Sequence, residues 1–238
     1  MAGDFDWDFR DNTLKASIMN QRQRTFNKLV QQISQELQEV SDSVGRRHEP
    51  VIQVLEVFCG PQSELTKQTS QLGYRACRFG LQEGDLSTTV GRKLLFQKVI
   101  TSRPQHLWYS PTCGPWCSWS HLNEARSESG FQHVQQERDE HLYQLALGLV
   151  LYRHQQDHCR HMHWEQPARS IMLRTPMLHE VTMGTKIAQF DMCKVGAMRD
   201  PQNQMLYKKG MEIATTSQQF YSQIHGRFCN RQHDHQQL

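Results

Sequence analysis

No stretch of this 238-residue chain is apolar for long enough to cross a membrane, which excludes a helical membrane protein and any membrane partner of that kind. Nor is there a block of one charge. Lys and Arg number 27 against 24 Asp and Glu, and the net +3 permits contact with nucleic acid without demanding it. The opening MAGDFDWDFRDN is acidic and aromatic, with neither the basic start nor the apolar centre of an export signal. An intracellular, non-secreted protein is expected. The seven cysteines are an odd number, which excludes a complete intramolecular disulfide framework; in a reducing compartment they read as thiols. What is plentiful is histidine, 13 in all.

Thr13–Val44 has almost no Gly or Pro, and its apolar residues Ile18, Phe26, Leu29, Val30, Ile33, Leu37 and Val40 recur close to helical spacing. This predicts a long amphipathic helix that packs on the main domain or on a protein partner. Gly45–Pro50, with Arg46-Arg47, reads as a hinge. It divides an N-terminal helical extension, 1–50, from an α/β domain, 51–238, that ends in a Cys/His-containing tail. Strands are predicted at Val51–Phe58, Tyr74–Phe79, Leu107–Ser110, His161–Trp164, Lys186–Asp191 and Met211–Thr215. Helices are predicted at Ser63–Leu72, Arg92–Ile100, His133–Tyr152 and Gln218–His225. Gly73 closes the first of these, Asp85 or Ser87 is expected to cap the second, and Pro176 breaks the helical look of Ser170–Leu178. Such alternation implies a Rossmann-like, mostly parallel sheet covered on both faces, with ligands beyond the carboxyl ends of the strands.

Three strand ends carry reactive or polar residues: Glu56–Gly60, Ser110–Trp116 and Glu165–Pro167. The central one lies in HLWYSPTCGPWCSWS, His106–Ser120. It sets the thiols Cys113 and Cys117, the indoles Trp116 and Trp119, and the hydroxyls Ser118 and Ser120 on a loop stiffened by Gly and Pro, where a nucleophile is at home. By itself it is equally a tight aromatic turn with an inert Cys. Leu55-Glu56-Val57-Phe58-Cys59-Gly60 puts a carboxylate at a strand end and a Gly before a helix. That suits an adenosyl cofactor with a charged amino-acid tail, and it also suits an ordinary strand-to-helix turn.

In this order, Glu-Val-Phe-Cys-Gly, Ser-Pro-Thr-Cys-Gly-Pro-Trp and Trp-Glu-Gln-Pro resemble three motifs of the cytosine-5 DNA methyltransferase family. These are the acidic-x-Phe-x-Gly cofactor turn, the Pro-Cys nucleophile loop and the Glu-Asn-Pro motif, and the likeness runs through residues 51–230. The compact methyltransferase-like modules of retroelement polyproteins are similar too, through Asp191-Met192-Cys193, Lys208-Lys209 and a Cys/His-rich end at Cys229, His233 and His235. The resemblance implies a sheet of the S-adenosylmethionine-dependent methyltransferase type, S-adenosylmethionine as cofactor, and nucleic acid, DNA first, as partner. It implies that Cys113 attacks C6 of a cytosine while Glu165 holds the N3/N4 edge. Glu56, Phe58, Cys59, Gly60, Asp85 and Ser110 would line the cofactor. Pro111, Trp116, Ser118, Gln166, Pro167, Lys208 and Lys209 would line the substrate, with Trp116 or Trp119 against the displaced base. Thr112, Gln166 and Pro61-Gln62-Ser63 stand where the family has a Pro, an Asn and a second Gly. The acidic residue expected after the second strand is missing, with Glu83 or Asp85 as substitutes.

Other classes fit part of the pattern. An amino-group methyltransferase, acting on N4 of cytosine or N6 of adenine, would use Ser110-Pro111-Thr112 with Trp116 as its aromatic and would need no thiol. A catalytically degenerate methyltransferase fold would keep only nucleic-acid or protein binding. A zinc deaminase is disfavoured: His163-Trp164-Glu165 fits its first half, but Cys113-x3-Cys117 has the wrong spacing and comes first. Cys229-x3-His233-x-His235 is not a standard finger spacing, so a polar chain end without metal is expected. A metal there would need a neighbour such as Cys159, His161, His163 or His225. His154, His158, His161 and His163 are expected at a solvated helix end.

Overall fold

The structure, a computed structural model, describes residues 8–44, 51–195, 199, 202 and 205–236. The Gly45–Pro50 hinge lies outside the described residues. The chain runs α1 (Asp8–Ser43), β1 (Val54–Val57), α2 (Glu64–Gln71), β2 (Ala76–Phe79), α3 (Thr89–Ser102) and β3 (His106–Tyr109). It continues with α4 (Ser118–Arg126), α5 (Glu128–Glu140), α6 (Leu142–Asp157), β4 (His161–Pro167), α7 (His179–Met183) and β5 (Lys186–Asp191). Last come β6 (Leu206–Tyr207), β7 (Gly210–Thr215), α8 (Gln218–Ile224) and β8 (His235–Gln236). No described helix is long and apolar enough to cross a membrane.

The main sheet has the order β2-β1-β3-β4-β7-β5. The first four strands are parallel, and β7 runs antiparallel to both of its neighbours. From β1 the chain steps to β2 on one side, then crosses through α3 to β3 on the other. That reversal is a topological switch point, where a crevice opens beyond the strand ends. Because β7 runs backwards, its start lies at the same rim: Pro167 faces Met211 and Asp191 faces Gly210. Lys208-Lys209 therefore enters at the carboxyl ends of β4 and β5.

Alternation along the strands separates two faces. Leu55, Val57, Leu107, Tyr109, Met162 and Trp164 share one face and are buried. The helix α6 lies against it so closely that a Cβ on Gly148 would come within 2.4 Å of the Trp164 ring and 2.7 Å of Tyr109. The helix α1 packs along α3 and α6, and its Phe26, Val30, Ile33 and Val40 join the same core. A buried ion pair fixes its position, with Arg92 Nε and Nη2 each donating to Glu36 at 2.7 Å. Of the two packing partners expected for this helix, the main domain is the one it meets.

Several local details differ from expectation. The stretch 133–152 is two helices, not one, because the chain turns at His141 between α5 and α6. A further helix, α4, begins inside the central loop. Thr88, not Asp85 or Ser87, caps α3, its Oγ1 accepting from the Gly91 amide at 3.1 Å, while Asp85 Oδ1 accepts from the Ser87 amide and closes the preceding turn. Two single-turn 3-10 helices, Met172–Arg174 and Pro176–Leu178, replace the broken helix before α7.

Candidate functional site

At the end of β1 the side chain of Glu56 turns toward the start of α2. Its Oε2 accepts from the hydroxyl of Ser63, the α2 cap, and from Thr66 Oγ1 at 2.8 Å. Phe58 follows with φ 64°, a left-handed conformation that a side chain rarely adopts. The turn it makes presses Cys59 onto β2, where a Cβ on Gly80 would meet the Cys59 carbonyl oxygen at 2.2 Å. Only glycine fits at Gly80, a requirement that no pattern in the sequence announces. Burial, reinforced by the Glu56 carboxylate, pushes the Cys59 thiol up to about 11, so it is a poor nucleophile. Beside Gly60 the space is open, with nothing within 4 Å of a built Cβ.

After β2, Glu83 accepts from the Gly80 amide at 2.7 Å and pairs with Arg78 at 2.9 Å. This carboxylate stands at the strand end, whereas Asp85 is exposed and spends its Oδ1 on Ser87. Both stand-ins for the missing acid thus have partners within the protein, Glu83 in Arg78 and the Gly80 amide and Asp85 in Ser87.

The loop after β3 is held from behind. Thr112 N–H donates to Gln144 Oε1 at 2.8 Å, and the Pro111 carbonyl accepts from Gln166 Nε2 at 3.2 Å. Cys113 then sits half-buried at the start of a 3-10 turn, Gly114–Trp116. That turn folds Trp116 inward to 1% exposure, beneath the Arg138 guanidinium at 5.5 Å. Trp116 was expected against the substrate, but the buried ring offers no face to a base. Trp119, on α4, is 71% exposed. Ser118, also exposed, opens α4 next to Cys117. For the Cys117 thiol burial opposes ionisation. Hydrogen bonds from the Ser120 side chain and from the Ser120 and Trp119 amides outweigh it, and the net shift is downward. Cys117 is thus an activated thiol four residues beyond Cys113, at a helix start where such activation is usual.

At the end of β4, Glu165 Oε2 accepts from Trp108 Nε1 at 2.7 Å and from Ser110 Oγ at 3.1 Å. The next residue, Gln166, is buried and bonds Pro111 and Ser170 rather than facing outward. Its amide therefore sets the loop, and Pro167 pairs with Met211 in the sheet. Lys208 is exposed on the rim, and the Lys209 carbonyl accepts from the Met192 amide at 2.9 Å.

Below Glu165 the same sheet face carries a histidine group that the sequence placed at a solvated helix end. His163 is 2% exposed; its Nε2 lies 2.9 Å from His106 Nδ1 and its Nδ1 lies 2.9 Å from Thr215 Oγ1. Burial, with His106 and His161 beside it, drives its pKa down to about 3. The period-two register of β4 puts these rings on the sheet; only His154 and His158 lie at the end of α6.

Glu56, Ser110, Cys113, Glu165 and Lys208 are thus gathered along one rim, with Ser110 and Glu165 in direct contact. A separate groove of about 630 Å³ is lined by Leu14 and Ile18 of α1 and Phe131 of α5, among others, and by none of these rim residues. The chain matches no family model, no curated protein and no solved structure.

Proposed function

We propose that the chain is an S-adenosylmethionine-dependent methyltransferase acting on a pyrimidine of nucleic acid, with Cys113 as nucleophile and Glu165 as the carboxylate that holds the base. One observation carries this reading. At the carboxyl end of β4, next to β3, Glu165 is fixed by Trp108 and Ser110, and the loop bearing Cys113 starts at that same Ser110. Both bonds fall on Oε2, which leaves Oε1 for the N3/N4 edge of a cytosine.

The residues at the end of β1 suit the cofactor. No side chain crowds the exposed Gly60, so a ligand can approach its backbone, and Glu56 can receive an ammonium group. When bound, the cofactor supplies an electrophilic methyl group. The chain's own groups do the rest. The Cys113 thiolate forms a bond to C6, the C5–C6 π pair moves to C5, and Glu165 passes a proton to N3. Loss of the C5 proton to water after transfer restores the double bond and expels the Cys113 thiolate, and N3 returns its proton to Glu165. The base must be single-stranded or displaced from its stack, and Trp119 and Lys208 are the exposed groups suited to hold it and its backbone.

Tritiated-methyl transfer to mixed nucleic acids, followed by nucleoside analysis, should yield 5-methylcytosine, and a 5-fluorocytosine substrate should trap a covalent adduct. Cys113→Ala should lose both by roughly a thousandfold or more, while Cys117→Ala keeps the adduct. Transfer that survives Cys113→Ala and appears on an exocyclic amine would establish the amino-group chemistry instead. No transfer, with no heat of S-adenosylmethionine binding at millimolar ligand, would leave a binding module.

A further inference from the structure

Beyond β5, the far edge of the sheet gathers four metal-ligating side chains from separate parts of the chain. Cys193 is buried in the single 3-10 turn Met192–Val195 that follows β5, and Cys229, His233 and His235 come from the segment after α8. One sulfur or ring nitrogen of each lies within 4.8 Å of the other three. Cys229 Sγ is 3.3 Å from His235 Nε2 and 3.7 Å from His233 Nε2. A tetrahedral zinc with S and N ligands has ligand-to-ligand edges of about 3.3–3.8 Å. Those two edges are therefore at zinc length, and the others, none above 4.8 Å, have to close by no more than about 1.5 Å.

The backbone around the cluster is organised to hold it. The Cys229 amide donates to Asp191 Oδ2 at 2.8 Å, and Cys229 Sγ accepts from the Arg231 amide at 3.3 Å, a bond that steadies a thiolate. Arg231 itself has φ 60°, a left-handed kink between Cys229 and His233 that turns the chain back on the sulfur. His235 is set by the short parallel pairing of β8 with β6, opposite Leu206. The Asp191 amide donates to the Arg227 carbonyl at 3.0 Å, so the end of β5 and the tail are already joined.

We propose that Cys193, Cys229, His233 and His235 form a Cys2His2 site for zinc that clamps the C-terminal segment to the end of β5. Two thiolates and two imidazoles are the donor set of a borderline-soft tetrahedral ion, not of calcium or magnesium. With all four positions filled by protein the site is closed, so its role is structural, and the thiols release their protons on binding. The clamp stands beside Lys209, whose carbonyl holds Met192, and so fixes the basic end of the rim. It is independent of the methyltransferase reading.

The test uses the full chain without a histidine tag, purified in reducing buffer with zinc. About one zinc per chain should survive gel filtration, and Co²⁺ alone added to metal-stripped protein should give the visible bands of a tetrahedral thiolate site. Cys193→Ser and His235→Ala should each lower zinc retention at least tenfold, whereas Cys159→Ser, at an exposed cysteine outside the cluster, should not change it. Wild-type protein guards against misfolded variants. Zinc should slow alkylation of Cys193 and Cys229 at least tenfold, a chelator should restore it, and Cys159 should react throughout. Folded wild-type protein that retains no zinc and gives a featureless cobalt spectrum would overturn the site. So would a Cys193–Cys229 disulfide that persists in reducing, zinc-containing buffer.

Discussion

The two faces of the sheet are built from the same strands and do opposite work. On one, Leu55, Leu107, Tyr109 and Trp164 meet α6 and α3 in a close-packed layer, with α1 packed along those helices. On the other, the in-register residues are Glu56, Trp108 and His163, with Ser110 and Glu165 one step nearer the rim. The first face removes the larger apolar area from water and so supplies the larger share of the folding free energy. The other carries a smaller apolar cluster, Phe190, Met211 and Ile213 with Trp108 and Phe220 packed against it, beside hydrogen-bonded polar groups whose burial contributes less to stability. Strand alternation makes this division possible within one sheet.

The contrast can be broken most forcefully from the apolar side. Trp164→Ala, which removes a fully buried ring beneath Gly148, should cost about 3–5 kcal/mol in urea unfolding. A loss below about 1 kcal/mol would mean that this face does not dominate stability. Arg92→Ala should come close behind, at about 3–5 kcal/mol, because it leaves the buried Glu36 carboxylate without its cationic partner. Burial raises the Glu36 pKa, yet bonds from Arg92, Gln32 and Thr89 hold it below 4.5. The stability this pair contributes is therefore complete above pH 4.5 and is lost as the pH falls through the lower folded value. Arg92→Ala should flatten that acid limb.

The histidines on the polar face give a smaller, sharper effect. With the folded pKa of His163 near 3 against 6.5 when free, the unfolded chain binds the extra proton as pH falls below 6.5. Stability should then fall with decreasing pH across that window, by up to about 1.4 kcal/mol per pH unit from this one group. His163→Asn should remove that slope between pH 6.5 and 4.5, and an unchanged slope would show that the ring is not held neutral. Smallest on stability is Glu165→Gln, expected within about 0.5 kcal/mol because an amide oxygen still accepts from Trp108 and Ser110. Methyl transfer should nonetheless collapse in that variant. Equal losses of stability and activity there would erase the distinction between the faces.

Much of this was visible in the chain itself. Short apolar runs between Pro and Gly marked β1 and β3, and the spacing from Ile18 to Val40 marked α1, because burial of one stripe needs helical periodicity. The three polar strand ends were legible for the same reason, since strand limits are local. The turn at His141 was not: no Gly or Pro signals it, and it separates α5, which packs on α4, from α6, which packs on α1 and β4. The inward rotation of Trp116 was hidden likewise, because it depends on Arg138, a residue contributed by α5.

Sequence alone determined α1, the six strands of the main sheet and which residue types stand at their ends, since periodicity, propensity and turn chemistry act over a few neighbours. Only the tertiary structure decided that β7 is inserted backwards between β4 and β5, which brings Lys208 to the rim, that Gly80 must have no side chain, and that Cys193 joins Cys229, His233 and His235. Those outcomes rest on contacts between residues far apart in the chain, whose proximity is set by how the sheet and helices exclude water together and by no local rule.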